Sequence, residues 1–175
     1  MAKPSPTPPD TIERIREQWA RERPELDSAG FALVGRLLLI GKRLERRVAS
    51  ALAPLDLAFW AFDVLATLRR QGAPYQLTPT ELSRATLLTP GAMTNRIDRL
   101  EEAGLVRREA EPNDRRGVRV SLTPSGLKLA DRAIEARFAE AEEAVSVLSA
   151  KDRAELERLL RRLIAGLEAA GEGES

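Results

Sequence analysis

Thr94, Asn95, Arg96 and Arg99 lie close together on a segment, Pro90 to Ala103, in which Met93, Ile97 and Leu100 recur at helical spacing. The apolar three define a buried stripe. That leaves Gly91, Thr94, Asn95 and Asp98 on the outward face, with Arg96 and Arg99 at its flanks. These side chains suit the edges of base pairs, since Asn bonds adenine bidentately, Arg does so with guanine, and Thr offers a hydroxyl and a methyl group to thymine. At the start of the segment, Thr89 as N-cap and Gly91 let backbone N–H groups approach a phosphate at the positive end of the helix dipole. Further along, Arg115 and Arg116 stand between Asp114 and Gly117. Guanidinium groups so placed suit a narrow minor groove, with one of them available to hold Asp114 and shape the turn. Any solvated helix and exposed turn can carry such residues, so the neighbouring elements decide the reading.

Those elements are punctuated by one repeated signal. Thr78-Pro79, Thr89-Pro90 and Thr123-Pro124 each put a threonine oxygen at an N-cap and a proline in the first helical turn. In Thr78-Pro79-Thr80-Glu81 the glutamate completes a capping box. The spacing predicts helices from Pro79 to Ala85 and from Pro90 to Ala103, the second closed by Gly104 as a left-handed cap. Only residues 86–89 separate them, which is the helix-turn-helix arrangement. Leu105 to Glu111 and Val118 to Leu122 then read as two strands joined by residues 112–117, forming the wing of a winged helix-turn-helix. The DNA-reading cassette is thus about residues 77–122.

Apolar helices flank it. Asp10 or Thr11 caps a short helix carrying Ile12, Ile15 and Trp19. Ser28 opens a long one through Phe31, Val34, Leu37, Leu38, Leu44, Val48 and Leu52 to the stop at Pro54. Asp56 is expected to cap the next, Leu57 to Arg70, which is apolar all round and therefore buried on both sides, at the centre of the core. Asp63 is the only charge in the run from Leu57 to Leu68, and a buried carboxylate needs a cationic or hydrogen-bonding partner. Arg108, Arg36 and Arg43 are the candidates. Two readings stand for Asp63, a structural ion pair and a ligand-site carboxylate; Trp19 is either a packing residue or a ligand wall. Beyond the wing, two helices follow, striped by Leu127 to Val145 and by Leu156 to Leu167.

The expected organisation is a disordered Pro-rich tail (1–10), an additional N-terminal helix (11–23), dimerisation helices (28–53 and 124–168), a winged helix-turn-helix region (56–122) and a flexible tail (169–175). The fold class is mostly α, an α+β winged helix. The terminal stripes either form a homodimer interface or close an intramolecular bundle.

Composition narrows the chemistry. The 175 residues include no cysteine and no histidine. This excludes disulfides, thiolate or imidazole metal sites and any nucleophile served by a histidine base. No carboxylate pair or phosphate-binding glycine loop suggests an enzyme, and no cofactor or metal is expected. No apolar run approaches a bilayer span, no membrane partner is expected, and the chain reads as cytoplasmic. The formal net charge is only +1, and residues 84–119 carry eight arginines against six acidic residues. So weak a footprint calls for two copies acting together, with half-sites about one helical turn apart on double-stranded DNA. The rival is a winged-helix scaffold or protein-interaction module, which near-neutrality would suit.

Leu77-Thr78-Pro79-Thr80-Glu81-Leu82, Gly91 to Glu101, Asp114-Arg115-Arg116-Gly117 and Leu122-Thr123-Pro124-Ser125-Gly126 together resemble the MarR family of winged-helix transcriptional regulators. The resemblance spans about Phe31 to Leu167. It implies a homodimer on an inverted repeat, repression relieved by a small molecule, and DNA contacts from Thr94, Asn95, Arg96, Arg99, Arg115 and Arg116; the effector expected here is a small anion, a urate-like purine or carboxylate. Within the family, Glu13-Arg14-Ile15-Arg16 and Trp19-Ala20-Arg21 look like the extra helix of the urate-responsive branch. That branch's effector site falls on Trp19, Asp63 and Arg108, while about Gly41 stands where it has a histidine.

Overall fold

Asp10 accepts a hydrogen bond from the Glu13 N–H at 2.8 Å and so opens helix α1, Thr11–Glu22. The computed structural model describes residues 9–86, 93–111 and 114–172, with backbone alone at 111, 114–116, 171 and 172. The chain divides into two compact units, residues 1–47 and 48–175.

The first unit holds α1 and most of α2, Ala29–Leu52. Arg36 ties them together, with its Nε 2.8 Å from Asp10 and its Nη2 2.9 Å from Glu13. Ile12 packs where Gly35 lacks a side chain, since a Cβ there would lie 3.2 Å from the Ile12 Cδ1. Arg36 is thereby engaged within this unit by two carboxylates. Most of the expected Pro-rich tail, residues 1–8, lies outside the described residues, and Asp10 at its end is held in place.

In the second unit, Pro54 starts a single 3-10 turn, Ala53–Leu55. Asp56 closes that turn in the left-handed region (φ 50°) and does not cap the following helix as expected. Helix α3, Phe59–Arg69, starts after Ala58 with no side-chain cap. Nor is α3 buried on both sides. Val64, Leu65 and Leu68 are wholly buried, but Phe59 is exposed and Phe62 only partly covered, because one flank of the helix borders a cavity.

Strand β1, Gln76–Leu77, was not anticipated, because two residues carry no periodicity. It pairs antiparallel with β3, Asp114–Leu122, which pairs on its other edge with β2, Val106–Glu111, giving the order β1-β3-β2. A register shift at Ala110/Glu111 lets Glu111 pair with Asp114, so β3 begins four residues before the expected Val118. Helix α4 is Pro79–Ala85, and the described part of α5 is Met93–Glu102. Gly104 closes α5 at φ 68°, and the Leu105 N–H reaches back to the Leu100 carbonyl at 2.9 Å. Helices α6, Pro124–Ala144, and α7, Ala150–Glu172, follow, with α7 running past the expected end at 168. Leu82, Ile97, Leu100, Val106, Val120 and Ala130 join α3 in one core, so α4, α5, the sheet and α6 share a single frame. No single described helix is long and apolar enough to cross a membrane.

Candidate nucleic-acid interface

The capping box fixes the first helix of the reading head. The Glu81 N–H donates to the Thr78 Oγ1 at 3.2 Å, and the Thr78 N–H donates to the Glu81 Oε2 at 2.8 Å. That backbone donor, with the Thr78 hydroxyl second, holds the Glu81 carboxyl below the ordinary glutamate range. In α5, Met93, Ile97 and Leu100 are buried, and Thr94, Asn95, Asp98 and Arg99 are exposed. Arg96 is only half-exposed; its Nη1 is buried, with no hydrogen-bond partner among the described residues. Thr89 and Gly91 lie outside the described residues, as do the side chains of Asp114, Arg115 and Arg116. Gly117 lies in β3.

Two clamps hold α5 to its surroundings. Arg108, on β2, reaches back so that its guanidinium bonds both Asp98 and Glu101, while its N–H donates to the Glu101 Oε1 at 2.9 Å. Burial works against the Arg108 charge, yet these two carboxylates carry its pKa above the ordinary arginine value. Glu101 is held below the usual range, first by the Arg108 N–H and then by its side chain. Asp98 is exposed as expected, and its carboxylate is occupied by Arg108.

The second clamp is Thr123-Pro124-Ser125-Gly126. The Thr123 and Ser125 hydroxyls donate to the Gly104 carbonyl at 2.7 and 2.9 Å, and the Thr123 N–H donates to the Leu105 carbonyl at 3.1 Å. Gly126 sits so close that a Cβ on it would lie 1.9 Å from the Leu105 carbonyl oxygen. A glycine two residues after a Thr-Pro signal was the available hint, but its reason is a tertiary approach that local pattern does not encode.

Asp63 is buried as expected, but in different company. It lines a cavity of about 660 Å3 between α3 and α6, with Phe59, Phe62, Phe138, Arg69, Arg70 and Arg137. Arg108 is not among the lining residues; Asp98 and Glu101 hold it, so the expected Asp63 and Arg108 pairing gives way to these contacts. Arg69 binds Asp131 of α6 at 2.7 Å and lies 5.0 Å from the centre of the Tyr75 ring, just before β1. Arg137 pairs with the buried Glu140. Arg70 donates to the backbone carbonyl of Ala85, the last residue of α4. Sequence reasoning missed these three arginines; the signal was Arg69-Arg70 closing an otherwise apolar helix. Trp19 lies in the first unit, about half-exposed. Among the described residues no three His, Cys, Asp or Glu side chains converge as metal ligands would.

A capped helix, a second helix with a polar outer face and a two-stranded wing packed on one core define a winged helix-turn-helix protein. Residues 55–117 match the sequence profile described as MarR family. The chain is 34% identical over 152 residues to the HTH-type transcriptional regulator PecS of Dickeya dadantii (strain 3937), covering 87% of this chain and 92% of the relative. This chain belongs to the MarR family of transcriptional regulators. Its fold is similar to a crystal structure of a mutant MarR from E. coli complexed with operator DNA (TM-score 0.66, 30% identity, 83% of this chain and 96% of that one). It is also similar to BpsR of Bordetella bronchiseptica, solved to explain regulation of its DNA binding by 6-hydroxynicotinic acid (TM-score 0.66, 27% identity, 74% and 91%).

Proposed function

We propose that the protein is a homodimeric repressor that binds an inverted repeat in double-stranded DNA and is released by a small anionic effector. The observation that carries the DNA reading is the exposed Thr94, Asn95 and Arg99 surface on a helix clamped at its C-terminal end by Arg108 and by Thr123-Ser125. Thr89 and Gly91 contact phosphate at the helix start, Arg96 stands at the edge of the reading face, and Arg115 and Arg116 enter the minor groove, with Asp114 and Gly117 shaping the wing. That a similar fold from E. coli was solved in complex with operator DNA supports DNA binding by this fold. Dimerisation is supported by the exposed stripe Leu156, Leu159, Leu163 and Leu167 on α7, more contiguous apolar surface than a solvated helix carries. A dimer seated on its operator represses by excluding other proteins from that DNA.

The effector site we assign is the cavity between α3 and α6, where Asp63 is joined by arginines in place of Arg108. Its aromatic walls and the arginines among its lining suit a small aromatic carboxylate, the class of the 6-hydroxynicotinic acid that regulates BpsR. A urate-like purine would meet Asp63 there without the related branch's histidine.

The test is a fluorescence-anisotropy titration of DNA from upstream of the protein's own gene at several salt concentrations. Binding should weaken steeply with salt, and Arg99→Ala combined with Arg116→Ala should lower both affinity and salt slope. A flat salt dependence, or an unaltered double variant, would overturn the reading.

A further inference from the structure

Three arginines line the cavity between α3 and α6, and the present partners of their guanidinium groups differ in kind. Arg69 is paired with the Asp131 carboxylate and Arg137 with the Glu140 carboxylate. Arg70, at the C-terminal end of α3, donates instead to a neutral acceptor, the Ala85 carbonyl. A carboxylate offers a guanidinium a full negative charge, whereas a carbonyl offers only a dipole, so the ion pair has the larger Coulomb attraction. An anion entering the cavity therefore gains little from Arg69 or Arg137, which would each have to give up a carboxylate. It gains most from Arg70, which would exchange a carbonyl for a full negative charge.

The position of Ala85 makes that exchange consequential. It is the last residue of α4 and directly precedes the turn toward the recognition helix. The seven-residue helix α4 is held at its start by the capping box, whereas its end is held by the Thr86 N–H on the Leu82 carbonyl and by Arg70. The adjoining Thr86 Oγ1 is buried with no hydrogen-bond partner among the described residues. Removing Arg70 thus frees the side of the helix-turn-helix that leads into the reading surface.

Resting on the effector reading above, we infer that Arg70 is the positioning residue through which an anion in this cavity acts on the helix-turn-helix. The bound anion draws the guanidinium off Ala85, and α4 loses its C-terminal tie. Because the anion then binds better to the protein with α4 released, DNA and anion oppose each other by the same factor in both directions.

Benzoate serves as the probe and benzamide as its uncharged counterpart. Calorimetry on the full-length protein measures their binding. Anisotropy gives the Kd for the upstream DNA with saturating benzoate and without it. The wild type should bind benzoate in preference to benzamide and lose DNA affinity about 5–10-fold at saturation. Arg70→Gln, an exposed and conservative change, should bind benzoate more weakly and, once saturated, lose less than about 2-fold in DNA affinity. Arg70→Lys keeps a movable cation and should restore most of the loss, while Arg132→Gln, exposed on α6 outside the cavity lining, should behave as wild type. If saturated Arg70→Gln retains the wild-type ratio, the relay through Arg70 is overturned and the effector site stands. If the wild type fails to bind benzoate, or binds it with no change in DNA affinity, the effector reading falls and the relay with it.

Discussion

Replacing Gly126 with alanine should break the junction between the recognition helix and α6. The added Cβ would lie 1.9 Å from the Leu105 carbonyl oxygen, 2.8 Å from its carbon and 3.2 Å from the Leu105 Cα. The obstacle is backbone, which cannot swing aside, so the start of α6 must retreat by roughly 1 Å or more to reach an ordinary contact distance. Such a retreat stretches the Thr123 N–H bond to Leu105 (3.1 Å) and the two hydroxyl bonds to Gly104 (2.7 and 2.9 Å) beyond useful length. Each bond contributes about 0.5–1.5 kcal/mol net. Residual overpacking adds about 1–3 kcal/mol, and the better helix propensity of alanine returns up to about 1 kcal/mol. The expected loss is therefore about 4 kcal/mol, equivalent to a fall in Tm of roughly 8–16 °C for a chain of this size. Differential scanning calorimetry at fixed protein concentration measures it, beside Ser125→Ala, which removes only the hydroxyl that meets Gly104 and Thr123 and should cost about 1–2 kcal/mol. A Gly126→Ala protein melting within about 2 °C of wild type would show that the approach of α6 to Leu105 is wrong.

Thr78→Ala should lower stability by about 1 kcal/mol through loss of the N-cap, read by urea unfolding. Glu81→Gln tests the other half of the capping box: since the carboxyl pKa is depressed in the folded state, its contribution is full above the ordinary glutamate range and is lost as the pH falls through the folded value. The stability gap between wild type and Glu81→Gln should accordingly be widest near neutral pH and close on acidification; a gap that grows below pH ~4 would contradict the assignment. Leu159→Glu with Leu163→Glu, two exposed positions one turn apart on α7, should convert the proposed dimer to monomer in sedimentation and weaken DNA binding without loss of helical circular dichroism.

The parts of the fold legible in the sequence were those decided locally. Thr78 with Glu81, Thr123 with Pro124, and Gly104 act within four residues of themselves, so their chemistry marks helix ends wherever the chain later goes. Asp56 misleads for the same reason: an acid before an apolar run looks like a cap, but Pro54 draws it into a 3-10 turn. Strand β1 exists only because Gln76 and Leu77 meet Ser121 and Val120, a pairing over 40 residues away in sequence. Arg108 is the same kind of case, claimed by Asp98 and Glu101 through the fold of the wing against α5, which spacing alone could not rank above Asp63.

That pairing also changes what the charge count means. Eight arginines among residues 84–119 suggested a modest positive surface. Arg107 is within 3.0 Å of Glu109, and Arg108 holds Asp98 and Glu101, so two of the eight serve the wing rather than the DNA. Arg96 is half-withdrawn from solvent. The cations left for phosphate and base contacts in one subunit are accordingly few, and affinity built on counterion release scales with their number. Clamping the recognition helix with arginine makes its geometry rigid at the expense of electrostatic attraction. A rigid but weakly charged reader gains affinity most effectively by being doubled, since the second copy binds at a high effective concentration set by the first. The internal ion pairs of the reading head and the exposed stripe of α7 therefore argue for the same assembly from opposite ends of the chain.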